Sequence, residues 1–146
     1  LQPLGLIEVG GMPHGLRAAS DGSVIVVIAT DAPVDSRNLG RIASRAMMGL
    51  GRTGSSASNG SGDYVLAFST SPDTRRAFGA ASHPVSGLAN DHASALFQAT
   101  VEAVEEAVYN SLFMATTVRG NGNTAEAIPL DRVRAILSRH GVGASP

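Results

Sequence analysis

The most uniform apolar stretch in the chain is residues 23–30, SVIVVIAT, unbroken by any polar side chain from Val24 to Ala29. A β-branched run of this kind predicts a strand buried on both faces. Asp31-Ala32-Pro33 ends it. Asp35 can cap the next helix, because its carboxylate can accept the free N–H groups of a first turn. Leu39, Ile42, Ala43, Ala46, Met47 and Leu50 then recur at helical spacing, with Gly51 placed to close the helix. Residues 52–62 (RTGSSASNGSG) read as a small polar loop, residues 64–69 (YVLAFS) as a second strand, and residues 70–89 as irregular chain. Asn90 or Asp91 can cap a long helix running to about Val118. Its apolar face is Leu96, Thr100, Val101, Val104, Ala107, Val108, Ser111, Leu112 and Ala115. A turn at Gly120-Asn121-Gly122-Asn123, a short strand over 125–128 and a helix over 131–140 follow. In that last helix Val133, Ile136 and Leu137 face inward, and Gly141 ends it. The first 22 residues are rich in Gly and Pro, with Ile7-Glu8-Val9 as a candidate short strand.

The order strand, helix, strand, long helix, short strand, helix predicts an α/β fold, a sheet with helices on at least one face. No internal repeat is present. The first strand is so evenly apolar that a second layer is expected on its other face. At 146 residues the chain is one domain and too short to supply that layer, so a partner chain or a missing segment is expected to do so.

Composition narrows the chemistry. The net charge is −1 with no charged block, so neither a nucleic-acid nor a membrane surface is expected. All eleven basic residues are Arg, which excludes a Schiff-base lysine and a P-loop lysine. Cysteine is absent, excluding a thiol nucleophile, disulfides and cysteine-ligated metals. No apolar run reaches the roughly 18 residues of a membrane span, and the first residues lack the basic and apolar regions of a signal peptide. The chain begins without Met, so a fragment or a processed product is expected. His14, His83, His92 and His140 are scattered without metal-ligand spacing. No metal and no cofactor are expected. Glu105-Glu106 reads as the solvated face of the long helix.

Two short constellations can carry chemistry. The first is Gly22-Ser23, at the mouth of the first strand. A turn glycine followed by a strand start explains the pair plainly. Cleavage between them would free the α-amine of Ser23, which titrates at about 7.7–8.0 in model peptides. Such an amine can take the proton of its own hydroxyl, activating the nucleophile without a histidine. Gly22 gives the backbone the freedom that self-cleavage requires.

The second is Asn59-Gly60-Ser61-Gly62-Asp63, just before the second strand. These are turn formers, but so many hydroxyl and amide groups beside a buried strand are more than a turn needs. If the two strands are neighbours, their starts meet at one edge. Ser61 can then hydrogen-bond the Ser23 amine or hydroxyl, and Asp63 can face a substrate ammonium, with Asn59 and Gly60 beside it as substrate contacts.

The segments Asp21-Gly22-Ser23-Val24-Ile25-Val26-Val27-Ile28-Ala29-Thr30-Asp31-Ala32-Pro33 and Ala57-Ser58-Asn59-Gly60-Ser61-Gly62-Asp63-Tyr64-Val65 resemble the DmpA-type family. This is the L-aminopeptidase/D-Ala-esterase/amidase group that includes bacterial β-peptidyl aminopeptidases. Asn110-Ser111-Leu112-Phe113-Met114-Ala115-Thr116-Thr117 and Ala127-Ile128-Pro129-Leu130 extend the resemblance, which covers nearly the whole chain from Ser23 onward. It implies an inactive precursor that cleaves itself ahead of the nucleophile, here Ser23, into a large and a small chain. Ser61 and Asp63 are implied as the assisting serine and acid. The implied fold is an αββα sandwich resembling Ntn hydrolases, of which this chain supplies part. The large chain is implied to contribute an oxyanion asparagine, and the two-chain unit is implied to form a homo-oligomer.

The resulting expectation is a self-processing serine aminopeptidase/amidase that releases N-terminal residues from small peptides or amides through an acyl-enzyme. Residues 1–22 are expected to end the large chain and residues 23–146 to form the small one. While the two remain joined, Ser23 has no free amine. Two alternatives stay open: an acyltransferase using the same nucleophile, and a non-catalytic α/β binding or assembly module. A soluble protein is expected, cytoplasmic rather than periplasmic.

Overall fold

The computed structural model of the chain describes residues 22–84 and 86–143. The candidate strand Ile7-Glu8-Val9 and His14 lie outside the described residues. Strand β1, Ile25–Thr30, is followed by helix α1, Ser36–Arg52, and strand β2, Tyr64–Ser69. After short 3-10 turns at Pro72–Thr74 and Asn90–His92 come helix α2, Ala93–Phe113, strands β3, Val118–Gly120, and β4, Asn123–Ala125, and helix α3, Leu130–Arg139. β1 and β2 pair in parallel, Ile25 opposite Tyr64 through Thr30 opposite Ser69. α1 is the crossover that a parallel pair requires.

α1 begins where its sequence predicts. Asp35 has extended backbone and its side chain accepts the Asn38 N–H at 2.8 Å. Ile42, Ala46 and Leu50 are buried on one face. The helix passes through Gly51 to Arg52 and is capped by Thr53; Gly54, with φ 97°, makes the left-handed exit instead of Gly51.

The core lies between the two helices and one face of the sheet. Val34, just before α1, and Ile42 of α1 meet Ala93 and Phe97 of α2, with Ile28 and Ala67 packed against them. Further along, Ala46, Leu50 and Val104 close over Val26 and Val65. Complete burial of a side chain such as Ile42 stabilises by about 1.5–3 kcal/mol. Arg45 and Arg41 lie over the Phe97 ring at 3.6 and 4.7 Å from its centroid. Arg41 also donates to Asn38 and Asn90, tying the entry of α2 to α1.

Three elements differ from their sequence expectation. Neither Asn90 nor Asp91 caps α2: a 3-10 turn leads in, and the cap position, His92, has no side-chain bond. α2 stops at Phe113, not Val118, so Ala115 is outside its face. Thr116, Thr117 and Val118 are β-branched and favour extended backbone. The expected strand over 125–128 is instead a tight hairpin, with Gly120 opposite Asn123 across Asn121-Gly122. Both loop residues have positive φ, 49° and 75°, the two-residue geometry that an Asn-Gly pair favours. α3 ends as expected in a left-handed Gly141, φ 70°, with the Val142 N–H reaching the Leu137 carbonyl at 2.9 Å. Its expected inward residues, however, are not buried: Ile136 and Leu137 are exposed and Val133 is intermediate.

Among the described residues the other face of the sheet is open. Ile25, Val27, Tyr64, Leu66 and Phe68 alternate along the two strands and are 47–70% exposed. Both strands show this alternation of exposed and half-buried positions. Among the described residues, therefore, β1 is covered on one face only.

α1 and α2 approach closely at Gly49. A Cβ there would lie 2.6 Å from the Val101 carbonyl oxygen and 2.9 Å from the Val104 Cβ. Gly49→Ala is expected to destabilise the protein by about 1–3 kcal/mol through this overlap, despite alanine's helix advantage of roughly 1 kcal/mol. Chemical denaturation of the full-length protein checks it; equal or higher stability would show that the helices separate freely.

Candidate active site

Parallel strands start at the same edge, so the register that pairs Ile25 with Tyr64 also brings the residues ahead of them together. The Tyr64 N–H donates to the Val24 carbonyl at 3.0 Å. One step earlier, the Val24 N–H donates to Asp63 Oδ1 at 2.8 Å. Asp63 therefore clamps the start of β1 to the start of β2 through its side chain, extending the ladder where the backbone pairing ends.

The second carboxylate oxygen, Asp63 Oδ2, lies 2.9 Å from Ser61 Oγ. Ser61 Oγ is also 3.1 Å from the Gly22 carbonyl oxygen, and its single proton is shared between the two acceptors. The Ser61 N–H is spent on the Ser58 carbonyl at 2.9 Å, which closes the preceding turn. That closure leaves the hydroxyl free to reach across to β1.

The Ser23 hydroxyl is exposed and is held by a backbone donor: the Gly62 N–H lies 3.0 Å from Ser23 Oγ. A Cβ at Gly62 would stand 3.4 Å from that oxygen. A side chain at position 62 would thus begin in van der Waals contact with the Ser23 hydroxyl. Gly62 has no assigned role in the sequence reading; the register supplies the signal, since Ser23 is two residues ahead of Ile25 as Gly62 is two ahead of Tyr64.

Ser23, Ser61 and Asp63, with Gly22, are thus brought together as the strand order predicts. The Ser61 contact differs in its target: the hydroxyl reaches the Gly22 carbonyl and Asp63. Asn59 and Gly60 sit in the exposed turn just before Ser61 and, among the described residues, make no hydrogen bond to the other four. Among the described residues no three His, Asp or Glu side chains are grouped to hold a metal. His83, His92 and His140 lie apart from this cluster in sequence and element.

Beside the cluster, a cavity of about 400 Å³ runs along β1 from Val24 to Ala29 beneath Thr100, Ala103, Ala107 and Ser111 of α2. It lies along the outer edge of β1, and neither Ser23, Ser61 nor Asp63 lines it.

The arrangement offers an exposed hydroxyl held by a backbone N–H, a second hydroxyl, and a carboxylate oriented by a backbone N–H. Among the described residues no histidine hydrogen-bonds to this group.

The model of peptidase family S58 matches residues 4–125. The β-peptidyl aminopeptidase BapA of Sphingosinicella microcystinivorans is 44% identical over 84% of this chain, a match covering 31% of that protein. Among solved structures, the L-aminopeptidase D-Ala-esterase/amidase of Ochrobactrum anthropi, described as a variant of the Ntn hydrolase fold, superposes with a TM-score of 0.75. It is 36% identical, and the match covers 82% of this chain and 34% of that one. A Burkholderia β-aminopeptidase gives a TM-score of 0.73 at 40% identity, covering 85% of this chain and 36% of that one. The chain spans about a third of the length of these relatives. Its architecture is that of the α/β sandwich of Ntn-hydrolase type, of which it supplies part.

Asp63→Ala removes the acceptor of the Val24 N–H. Amide exchange at Val24, followed in the full-length protein, is expected to accelerate about tenfold or more, since hydrogen bonds to charged groups contribute about 1.5–3 kcal/mol. Unchanged exchange would show that the clamp does not hold the strand start.

Proposed function

This chain belongs to peptidase family S58, and on that premise we propose that it carries the nucleophile of a self-cleaving N-terminal-serine aminopeptidase/amidase. The observation that carries the proposal is the placement of the Ser23 hydroxyl at the mouth of β1, held by the Gly62 N–H and flanked by the Ser61–Asp63 pair.

In this reading the bond between Gly22 and Ser23 is the processing point. Residues 1–22 end a large chain and residues 23–146 form the small chain. Before cleavage the Ser23 nitrogen is an amide and cannot serve as a base. Afterwards it is an α-amine that accepts the proton of its own hydroxyl, directly or through a water. Ser23 Oγ then attacks the carbonyl of a substrate's N-terminal residue. Backbone N–H groups and donors from the large chain stabilise the oxyanion. The protonated amine of Ser23 returns its proton to the leaving amine, and water releases the acyl group.

The substrate is a small peptide or amide with a free amino group. Asp63 supplies negative charge beside Ser23 to receive that ammonium, and Asn59 and Gly60 form the rim of the site. The names of the relatives, β-peptidyl aminopeptidase and L-aminopeptidase D-Ala-esterase/amidase, support this substrate class. They lend no support to acyl transfer or to a non-catalytic module.

The large chain of the same precursor is the natural cover for the open sheet face. Ile25, Val27, Leu66 and Phe68 form a contiguous apolar surface, larger and more ordered than isolated surface apolar residues require. The two-chain unit then assembles as a homo-oligomer.

Ser23→Ala in the full-length precursor is expected to abolish both chain splitting and hydrolysis of amino-acid amides. Persistence of either at the wild-type rate would remove Ser23 from the mechanism. In the processed enzyme the amine has to be neutral to act as base. kcat/KM is therefore expected to fall about tenfold per pH unit below the amine's pKa, which is about 7.7–8.0 in model peptides. A pH profile flat from 8 down to roughly 5.5 would rule out the amine as the base.

A further inference from the structure

We propose that Tyr64 is a specificity-determining residue: its ring is the wall that receives the side chain of the substrate's N-terminal residue, so that a bulky apolar residue there is preferred. This rests on the assignment of Ser23 as the nucleophile and adds which substrates it serves.

Residues two apart along a strand share a face. The register that pairs Ile25 with Tyr64 therefore sets Ser23 and Gly62 one pleat ahead of them on the same, open side of the sheet. The 3.0 Å hydrogen bond from the Gly62 N–H to Ser23 Oγ shows that these two are direct neighbours. Behind the hydroxyl on that side stand Ile25 on its own strand and Tyr64 on the next, both exposed among the described residues. The Tyr64 ring leans back toward the strand start. Its Cε2 lies 4.0 Å from the position that a Cβ on Gly62 would occupy, and that position is 3.4 Å from Ser23 Oγ. Gly62 has no side chain to fill the space, so a recess remains between the hydroxyl and the edge of the ring.

The recess matches the reach of a substrate. A carbonyl carbon poised for attack stands about 3–3.5 Å from the nucleophile. The α-carbon is one bond farther and the side chain begins at the next. A side chain of several carbons directed along β2 therefore ends in van der Waals contact with the ring, at about 4 Å. Glycine and alanine end short of it. Asp63, adjacent in sequence, starts on the opposite side of the strand and turns toward β1, where Oδ1 accepts the Val24 N–H. Ammonium and side chain are thus received by neighbouring residues from different directions. Leu66 and Phe68 lie farther along β2 from Ser23. A cover over them leaves the site accessible, whereas one reaching over Tyr64 would close it off.

The test uses the processed full-length enzyme with glycine, alanine, valine and leucine amides. In the wild type kcat/KM is expected to rise along this series, leucine amide exceeding glycine amide by about tenfold or more, the discrimination usual for an apolar pocket. Tyr64→Val removes the ring and keeps an apolar, strand-favouring residue. It is expected to lower turnover of leucine amide about tenfold more than that of glycine amide. Tyr64→Phe is expected to keep the wild-type ratio. A flat wild-type series overturns the proposal without any variant. So does an unchanged ratio in Tyr64→Val, or an equal loss on both amides, which would make Tyr64 a support of the strand only. A Tyr64→Phe ratio as low as that of Tyr64→Val would overturn it too, by assigning the effect to the phenol hydroxyl. If Ser23→Ala still turns over the amides, the nucleophile assignment itself fails. If activity needs Ser23 while the ratio ignores Tyr64, only the role of Tyr64 fails.

Discussion

The parallel pairing of β1 with β2 is the constraint on which the rest depends. Its register sets Val24 against Asp63 and Tyr64, and from that one alignment Ser23, Gly62 and Ser61 fall within hydrogen-bond range of each other or of Gly22. A slip of one residue would turn each apolar strand face over and would separate the two serines. The helices serve this pairing. α1 spans the crossover and buries Ile42, Ala46 and Leu50, and α2 closes over α1 at Gly49.

On the proposed mechanism, a hydroxyl at a strand mouth has a physical logic. The strand behind it is apolar, and the preceding residue, Gly22, has no side chain to resist the geometry that cleavage would require. Asp63 extends the ladder by one side-chain hydrogen bond, which holds the backbone at Val24, next to Ser23. The same carboxylate orients Ser61. A single residue thus links the stability of the strand start to the arrangement of the chemistry.

Much of this was legible in the amino-acid pattern. SVIVVIAT and YVLAFS stand out as strands, Asp35 as a cap, and the two candidate constellations lie at the strand starts where parallel neighbours bring them together. Other features depend on tertiary context. The end of α2 is marked by no breaker residue, only by β-branched Thr116, Thr117 and Val118 that favour extended backbone. The hairpin after it follows from the left-handed backbone of Asn121-Gly122, whose two-residue loop places the partner strand two positions earlier than composition indicates. Phe97, a buried core residue beneath two arginines, lies outside the expected face of its helix. The Gly62 N–H is a backbone group, and only the register reveals that it meets Ser23. Ile136 and Leu137, like the second face of the sheet, are exposed among the described residues, and an apolar pattern alone does not say which of its positions a single chain covers.

The account turns on Ser23 acting through its own amino terminus. The most direct measurement is the intact mass of each polypeptide in the purified, active full-length enzyme, combined with chemical labelling of α-amines. The account predicts a polypeptide whose first residue is Ser23, with a free and labelled amine. Full activity in a preparation whose Gly22–Ser23 bond is unbroken in every molecule would contradict it.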